Sequence, residues 1–413
     1  MENSLLASIK NLQDKANQKW IDLFFEKGLP NKNDDGFSYF SLDKFYQETL
    51  NFTEKSQAIE KDQLPKSKSG VRFVFVDGQF SQDLSDLSYL NESVVYSGYE
   101  EAKKDYFSLI ASHEEKLLLQ PKEHGLDFLT EAFCLNGFFL YIPPKLILEQ
   151  EIELLFVGRS IAASFSKILI YVGKGASASI SVSFEETSTQ WINSNFYLTQ
   201  EPSSSCKIVY DFTKAAHSWI FHKMVSRIKK EASSKVYLLD SGSKGLRKEL
   251  EFDLLDVGAS ALCKGISLVT KGSESHQVVK MNHIEENTTS TQHFKNLVLD
   301  KAKASFDGKI WVDSKALKTS AYQLCNHLLL SETAQGFVKP NLEIFADDVK
   351  ASHGATISYL DQESLFYLNS RGMNDQEAKN ILIKAFAKEI LQELKEHYQI
   401  EFLNHLKATC NIS

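Results

Sequence analysis

Histidine can ligate metal or move protons near neutral pH, and the 413-residue chain has 11. His217 and His222 are five residues apart, an odd separation that would put them on opposite faces of a strand and away from a shared metal. His276, His283 and His293 lie near Glu274, Glu285 and Glu286. Those side chains offer nitrogen and oxygen donors, but without tighter spacing a solvated polar face is the expectation. Gly173-Lys174-Gly175-Ala176-Ser177-Ala178 fits a nucleotide-binding Gly-x-Gly-x-x-Ala pattern. That chemistry needs a helix N-terminus next, whereas residues 179–184 alternate with period two, so a turn between strands is expected. No Gly-x-x-x-x-Gly-Lys-Ser/Thr occurs, so any ATP chemistry must come from a partner.

Cys134, Cys206, Cys263, Cys325 and Cys410 form no Cys-x-x-Cys pair. This argues against a zinc ribbon or disulfide framework and for a reducing, cytoplasmic compartment. Cys263 and Cys325 have apolar neighbours and read as small core residues. The densest run of polar chemistry is residues 341–372. Leu342, Ile344 and Ala346 alternate with Glu343 and Phe345, so a strand should deliver Asp347, Asp348 and His353 to a turn made flexible by Gly354. On chemistry alone this is a polar corner joining a β region to the C-terminal helices.

Three kinds of element must position these residues. Leu6, Ile9, Leu12, Ala16, Trp20 and Leu23 recur at spacings of three and four, predicting an amphipathic helix over residues 4–25 that Gly28 and Pro30 stop. From about 138 to 330, short β-rich runs follow one another without helical periodicity. Small-residue elements recur beside them: Gly175-Ala176-Ser177, Ala232-Ser233-Ser234, Gly258-Ala259-Ser260 and Lys303-Ala304-Ser305. Asp307-Gly308 is the single two-residue hairpin signal inside the region, which favours a solenoid or parallel β-helix over a hairpin sandwich. Helical spacing returns with Ala378, Ile381, Leu382, Ala385, Phe386, Ile390 and Leu394, opened by an Asn374/Glu377 capping box.

A net charge of −8, from 46 basic and 54 acidic residues, gives no field to attract nucleic acid or an anionic membrane. The 43% hydrophobic content suffices for more than one core. Charges interrupt every apolar stretch, so no membrane span or export signal is expected.

The run Leu342-Glu343-Ile344-Phe345-Ala346-Asp347-Asp348-Val349-Lys350-Ala351-Ser352-His353-Gly354-Ala355-Thr356, followed by Leu365-Phe366-Tyr367-Leu368-Asn369-Ser370-Arg371-Gly372, resembles the SufB/SufD family of iron–sulfur cluster assembly scaffolds, and its SufD branch in particular. Residues 306–312 and Ala321-Tyr322-Gln323 are similar to the same family. Ala351 departs from it, standing where the family usually has cysteine, and Cys325 and His327 replace its usual asparagines.

The resemblance implies a mainly β fold: a right-handed parallel β-helix flanked by N-terminal and C-terminal α-helical domains. The expected division is a mostly helical domain over residues 1–130, the β-helix core over 131–360, and a helical domain over 361–413 that docks an ATPase. It further implies pairing with SufB through the β-helix, docking of the ABC-type ATPase SufC, and no enzymatic turnover by the chain itself. A homodimer is the alternative for the isolated chain. Phe366, Tyr367, Arg371, Ile381, Leu382, Ala385 and Phe386 are the implied docking residues. His353 is the implied ligand of iron or of an iron–sulfur cluster at the SufB interface, with Glu343, Asp347 and Asp348 as second choices; no cofactor is expected to bind tightly to the chain alone. Two competing expectations are a structural subunit that has lost cluster ligation, Ala351 standing in place of the family's usual cysteine, and a carbohydrate-active β-helix.

Overall fold

Alternation turns every second side chain between residues 138 and 358 inward, and the strands so formed stack as coils around an apolar interior. A computed structural model of the protein describes residues 4–34, 36–48, 59–67, 69–111, 124–134, 136–158, 163–186 and 191–410. Its first strands are β1 (Val71–Val76), β2 (Gln79–Asp86), β3 (Val95–Gly98), β4 (Phe138–Ile142), β5 (Ile152–Gly158) and β6 (Ala163–Val172). Next come β7 (Ser177–Glu186), β8 (Trp191–Gln200), β9 (Ser205–Lys214), β10 (Trp219–Ile228), β11 (Ser233–Asp240) and β12 (Gly245–Leu254). The series ends with β13 (Ser260–Val269), β14 (Glu274–His283), β15 (Thr289–Val298), β16 (Lys303–Val312), β17 (Thr319–Leu329), β18 (Gln335–Ile344) and β19 (Val349–Ser358).

Consecutive strands alternate between two sheets, ordered β19-β17-β15-β13-β11-β9-β7-β5-β1-β2 and β18-β16-β14-β12-β10-β8-β6-β4-β3. Pairing from β4 to β19 is parallel, making a β-solenoid of about seven turns, as the absence of hairpin signals predicts. Asp307-Gly308 lies within β16 and makes no turn.

Corners explain the recurring small residues. Gly175, Ser203, Glu231, Gly258, Asn287 and Lys318 take left-handed backbone angles between φ 54° and 75°. Each is followed by a small buried residue: Ala176, Ser204, Ala232, Ala259, Thr288 and Thr319. The amides of Ser203, Glu231, Asn287 and Lys318 donate to carbonyls one coil further on, at Lys230, Val257, Leu317 and Asp348, which helps hold non-glycine residues in this unfavourable region. The Gly-x-Gly-x-x-Ala element is one of these corners, and β7 follows it. The fourth small-residue element, Lys303-Ala304-Ser305, instead begins β16.

The helices are α1 (Ser4–Lys10), α2 (Gln18–Lys27), α3 (Leu42–Tyr46), α4 (Tyr99–Asp105), α5 (Gly125–Phe133), α6 (Gln362–Ser370), α7 (Asp375–Leu391) and α8 (Glu396–Cys410). The helix expected over residues 4–25 is divided into α1, a 3-10 turn at Gln13–Lys15 and α2, because Asn17 leaves the helical path and its N–H donates to Ala132 of α5. Apolar residues of α1, α2, α3 and α5 bury the outward Phe165, Trp191, Trp219 and Phe221 of the second sheet. On the first sheet, α7 and α8 cover Val209, Tyr237, Leu239, Ile266, Leu268 and Leu297. Helices therefore cover the two faces of the stack and leave its last coil open. No described helix is long and apolar enough to cross a membrane.

Candidate functional site

The open end carries the dense segment. β18 and β19 each pair in register with one strand, β16 and β17, and each is the last strand of its sheet. Their outer backbone groups therefore meet no further strand among the described residues. Phe345, Ile357 and Tyr359 are exposed there, Phe345 at 62%. Pro340 is tolerated in β18 because that strand is an edge.

Val236, Cys263, Gln292, Gln323 and His353 occupy one register column across β11 to β19. Burial alternates along β17, with Ala321, Gln323, Cys325 and His327 inside, so the column faces inward. His353 shares that face yet is exposed, because no later coil covers it. It lies within β19, not on the expected turn. Gly354 makes no turn there: it lies within β19 beside Leu324 of β17, and a Cβ on it would lie 3.0 Å from Leu324 Cδ1. Ala351 pairs with Ala321 on the same inward face, two residues from His353.

The second-choice donors lie elsewhere. Glu343 pairs with Trp311 on the outer face of the second sheet and salt-bridges Lys309 at 2.9 Å. Asp347 and Asp348 are exposed in the connection before β19. Val349, which begins that strand, is four residues from His353, roughly 13 Å of extended chain.

Beside this end, α6 is N-capped by Asp361, whose carboxylate accepts from Ser364 N, and α7 by the reciprocal Asn374/Glu377 box. Phe366, Tyr367 and Ile381 are exposed at 75%, 57% and 42%, and the Arg371 guanidinium lies 5.2 Å from the Tyr367 ring centre. Ala385 is exposed, and Leu382 and Phe386 are half-buried, with Lys295 4.3 Å over the Phe386 ring. The buried side of α7 is Ala378, Ile383, Ala387, Ile390 and Leu391, so Ile381 and Ala385 lie outside the intramolecular core.

The family model described as "SUF system FeS cluster assembly, SufBD core domain" matches residues 156–386, and the SufBD N-terminal region matches residues 2–154. The chain belongs to the SufBD family. A SufBD family protein of Synechocystis is 28% identical over 404 residues, covering 90% of this chain and 85% of the relative. The iron–sulfur cluster assembly protein SufD of Escherichia coli is 26% identical over 386 residues, covering 92% and 88%. SufB of Bacillus subtilis is 24% identical over 373 residues, covering 86% and 77%. The SufBD family supplies assembly subunits for iron–sulfur clusters.

His276, His283 and His293 of this SufBD chain do not gather into a solvated cluster. His276 faces Phe40 outside the second sheet and contacts Ser305 Oγ at 2.6 Å. His283 lies inside a corner between Thr288 and Ser290, and His293 faces Glu389 of α7 at 3.8 Å. All three are buried. Burial between sheets or beneath helices overrides their polar sequence surroundings. His217 lies in the corner before β10, off the strand that carries His222.

Two further groups were not legible in the sequence. Inside the stack, Lys248 Nζ donates to Asp240 at 2.5 Å and Ser275 at 3.0 Å; Gln277 bridges Ser275 and Asn296; Asn296 then meets His327 Nε2 at 3.0 Å. Burial opposes both charges of the ion pair, but Lys248 and the hydroxyl of Ser275 hold Asp240 below its ordinary pKa. Period two could have placed Lys248 and Asp240 inward, but their pairing depends on how one coil meets the next. The second group is His124, Asp127 and Glu249, whose ligand-type atoms lie within 4.8 Å of one another. Resident cations already match these acids: Arg247 contacts Glu249 at 2.6 Å and Lys223 contacts Asp127 at 2.8 Å. Burial would raise the Glu249 pKa, but Arg247 and His124 outweigh it and hold the carboxyl well below its usual range. The group bonds α5 to the solenoid, and its long sequence separation hid it.

Proposed function

We propose that this SufBD chain is a non-catalytic, cytoplasmic, SufD-like scaffold subunit. Its open solenoid end pairs with a SufB-type partner, and the α6–α7 surface docks an ABC-type ATPase. His353 contributes an imidazole ligand to iron of the cluster assembled at the junction, the iron and sulfide being cargo. The observation that carries this reading is the uncovered pair of strand edges, β18 and β19, beside exposed Phe345, Ile357 and Tyr359. Unpaired parallel edges are templates for added strands. Without that partner, the same edges are free to join two copies of the chain.

The inward, exposed setting of His353 suits a ligand shared with a second chain. The face assigned to Glu343 and the distance to Asp347 and Asp348 make them weaker donors for the same ion. Ala351 favours a second reading, in which the chain pairs and docks but ligates nothing.

Co-expression with SufB-type and SufC-type proteins tests these roles. Phe345→Lys combined with Ile357→Lys should abolish SufB-type co-purification without lowering the melting temperature. Phe366→Asp combined with Ile381→Asp should remove the ATPase alone. Retention of either partner would refute that docking assignment. Point substitutions are cleaner than deleting everything after Gly372, because α7 and α8 cover the first sheet. For ligation, His353→Ala in an intact complex should lower bound iron and sulfide after anaerobic reconstitution; unchanged content would favour the second reading.

A further inference from the structure

Gln323 is 97% buried, and both polar atoms of its side-chain amide lack a hydrogen-bond partner, a combination shared by no other side chain among the described residues. The next inward residue of its column, Gln292, donates through Nε2 to Lys309 O at 3.3 Å. Glycine on the facing sheet makes room for the Gln323 amide: a Cβ on Gly308 would overlap Gln323 Nε2. Gly308 has no left-handed backbone angle, so its role here is space. A strongly polar group is thus buried with no protein partner for its donor or its acceptor, a costly arrangement unless something occupies it. In register, Gln323 lies between Gln292 on one neighbouring strand and His353 on the exposed last strand, each backbone roughly 4.8 Å from its own.

We propose that Gln323 is a positioning residue for the iron-bound group on His353, its amide hydrogen-bonding the sulfide or water that the iron carries. The inference rests on His353 as the iron ligand, proposed above. Hydrogen bonds to the sulfur or water ligands of a metal set their orientation and retention. Gly308 keeps the amide in place from the opposite sheet.

The test uses the complex with SufB-type and SufC-type partners, loaded anaerobically with ferrous iron and sulfide, at equal complex recovery and melting temperature. Gln323→Leu should change the visible circular dichroism of the loaded complex and speed iron loss to a chelator about ten-fold. Gln323→Glu, which keeps a hydrogen-bonding group, should bring that rate back toward the parent. Gly308→Ala, which displaces the amide without removing it, should act in the direction of Gln323→Leu. If Gln323→Leu does not assemble, Gln323→Asn is measured instead, and a parental chelation rate in it overturns the proposal. Iron loss in His353→Ala with parental behaviour in Gln323→Leu would overturn the positioning role alone. Parental iron content and chelation rate in His353→Ala would overturn the ligand reading and this inference with it.

Discussion

The two ends of the solenoid finish differently. At the N-terminal end the parallel stack is terminated by strands running the other way: β2 lies antiparallel on β1, with an irregularity between Arg72 and Val74, and β3 lies antiparallel on β4. β2 also carries exposed Asp83 and half-buried Asp86. Reversal, irregular register and charge all discourage another strand from adding. The C-terminal end has no such reversal: β18 and β19 continue the parallel register and stop, flanked by exposed aromatic and aliphatic side chains. One end concludes the stack, and the other leaves two parallel strand edges unpaired among the described residues.

Substitutions with opposite consequences at the two ends can break this contrast. The largest effect is expected at the closed end. Phe75 is buried and stacks on Phe156 at 4.5 Å, so Phe75→Ala should cost about 3–5 kcal/mol in urea unfolding. Phe345→Ala should stay within about 0.5 kcal/mol in the isolated chain. A comparable loss at Phe345 would mean that the last coil is covered after all. Next, Arg72→Met leaves the buried Glu153 carboxylate without its 2.8 Å partner and should cost about 3 kcal/mol. Its failure to destabilise would remove one anchor of the closed end.

Acid should distinguish the ends next. Burial lowers His222 and His327 to about 3 and His283 to about 4, whereas β1 to β9 contain no histidine. These rings are neutral in the fold and take up protons on unfolding. Their stabilising effect is complete above the ordinary value of 6.5 and is lost as pH falls toward 4 and then 3, by roughly 1 kcal/mol per pH unit per ring. Hydrogen exchange at pH 5 against pH 7.5, corrected for intrinsic rates, should show β10 to β17 opening before β1 to β9. Equal loosening would contradict the asymmetry. The smallest effect is expected at Glu343, whose exposed pair with Lys309 should make Glu343→Gln cost at most about 1 kcal/mol by the same urea assay.

Period and corner chemistry made the solenoid legible, because alternation and small residues are local signals. The Asn374/Glu377 box was readable for the same reason, as its hydrogen bonds span three residues. What depends on which coil meets which was hidden. His353 read as a turn residue because Gly354 follows it, yet that glycine continues the strand and pairs with Leu324 one coil away. The stripe drawn along α7 included Ile381 and Ala385, whereas the contact with the first sheet uses Ile383 and Ala387, since the docking angle of a helix is a tertiary choice. Buried His276, His283 and His293 looked solvated because their neighbours in sequence are polar, while their neighbours in space are Phe40, corner hydroxyls and α7.

The left-handed corners also bear on how such a chain can change over evolutionary time. Gly175, Ser203, Glu231, Gly258, Asn287 and Lys318 mark equivalent points in successive coils. Gain or loss of a whole interval between them would preserve each strand's inward face and the amide bonds that tie most corners to the next coil. A single inserted residue inside a strand would turn its remaining side chains inside out. Length variation compatible with this architecture therefore comes in whole coils, and the separation between the closed end and the open end changes in steps of about 5 Å.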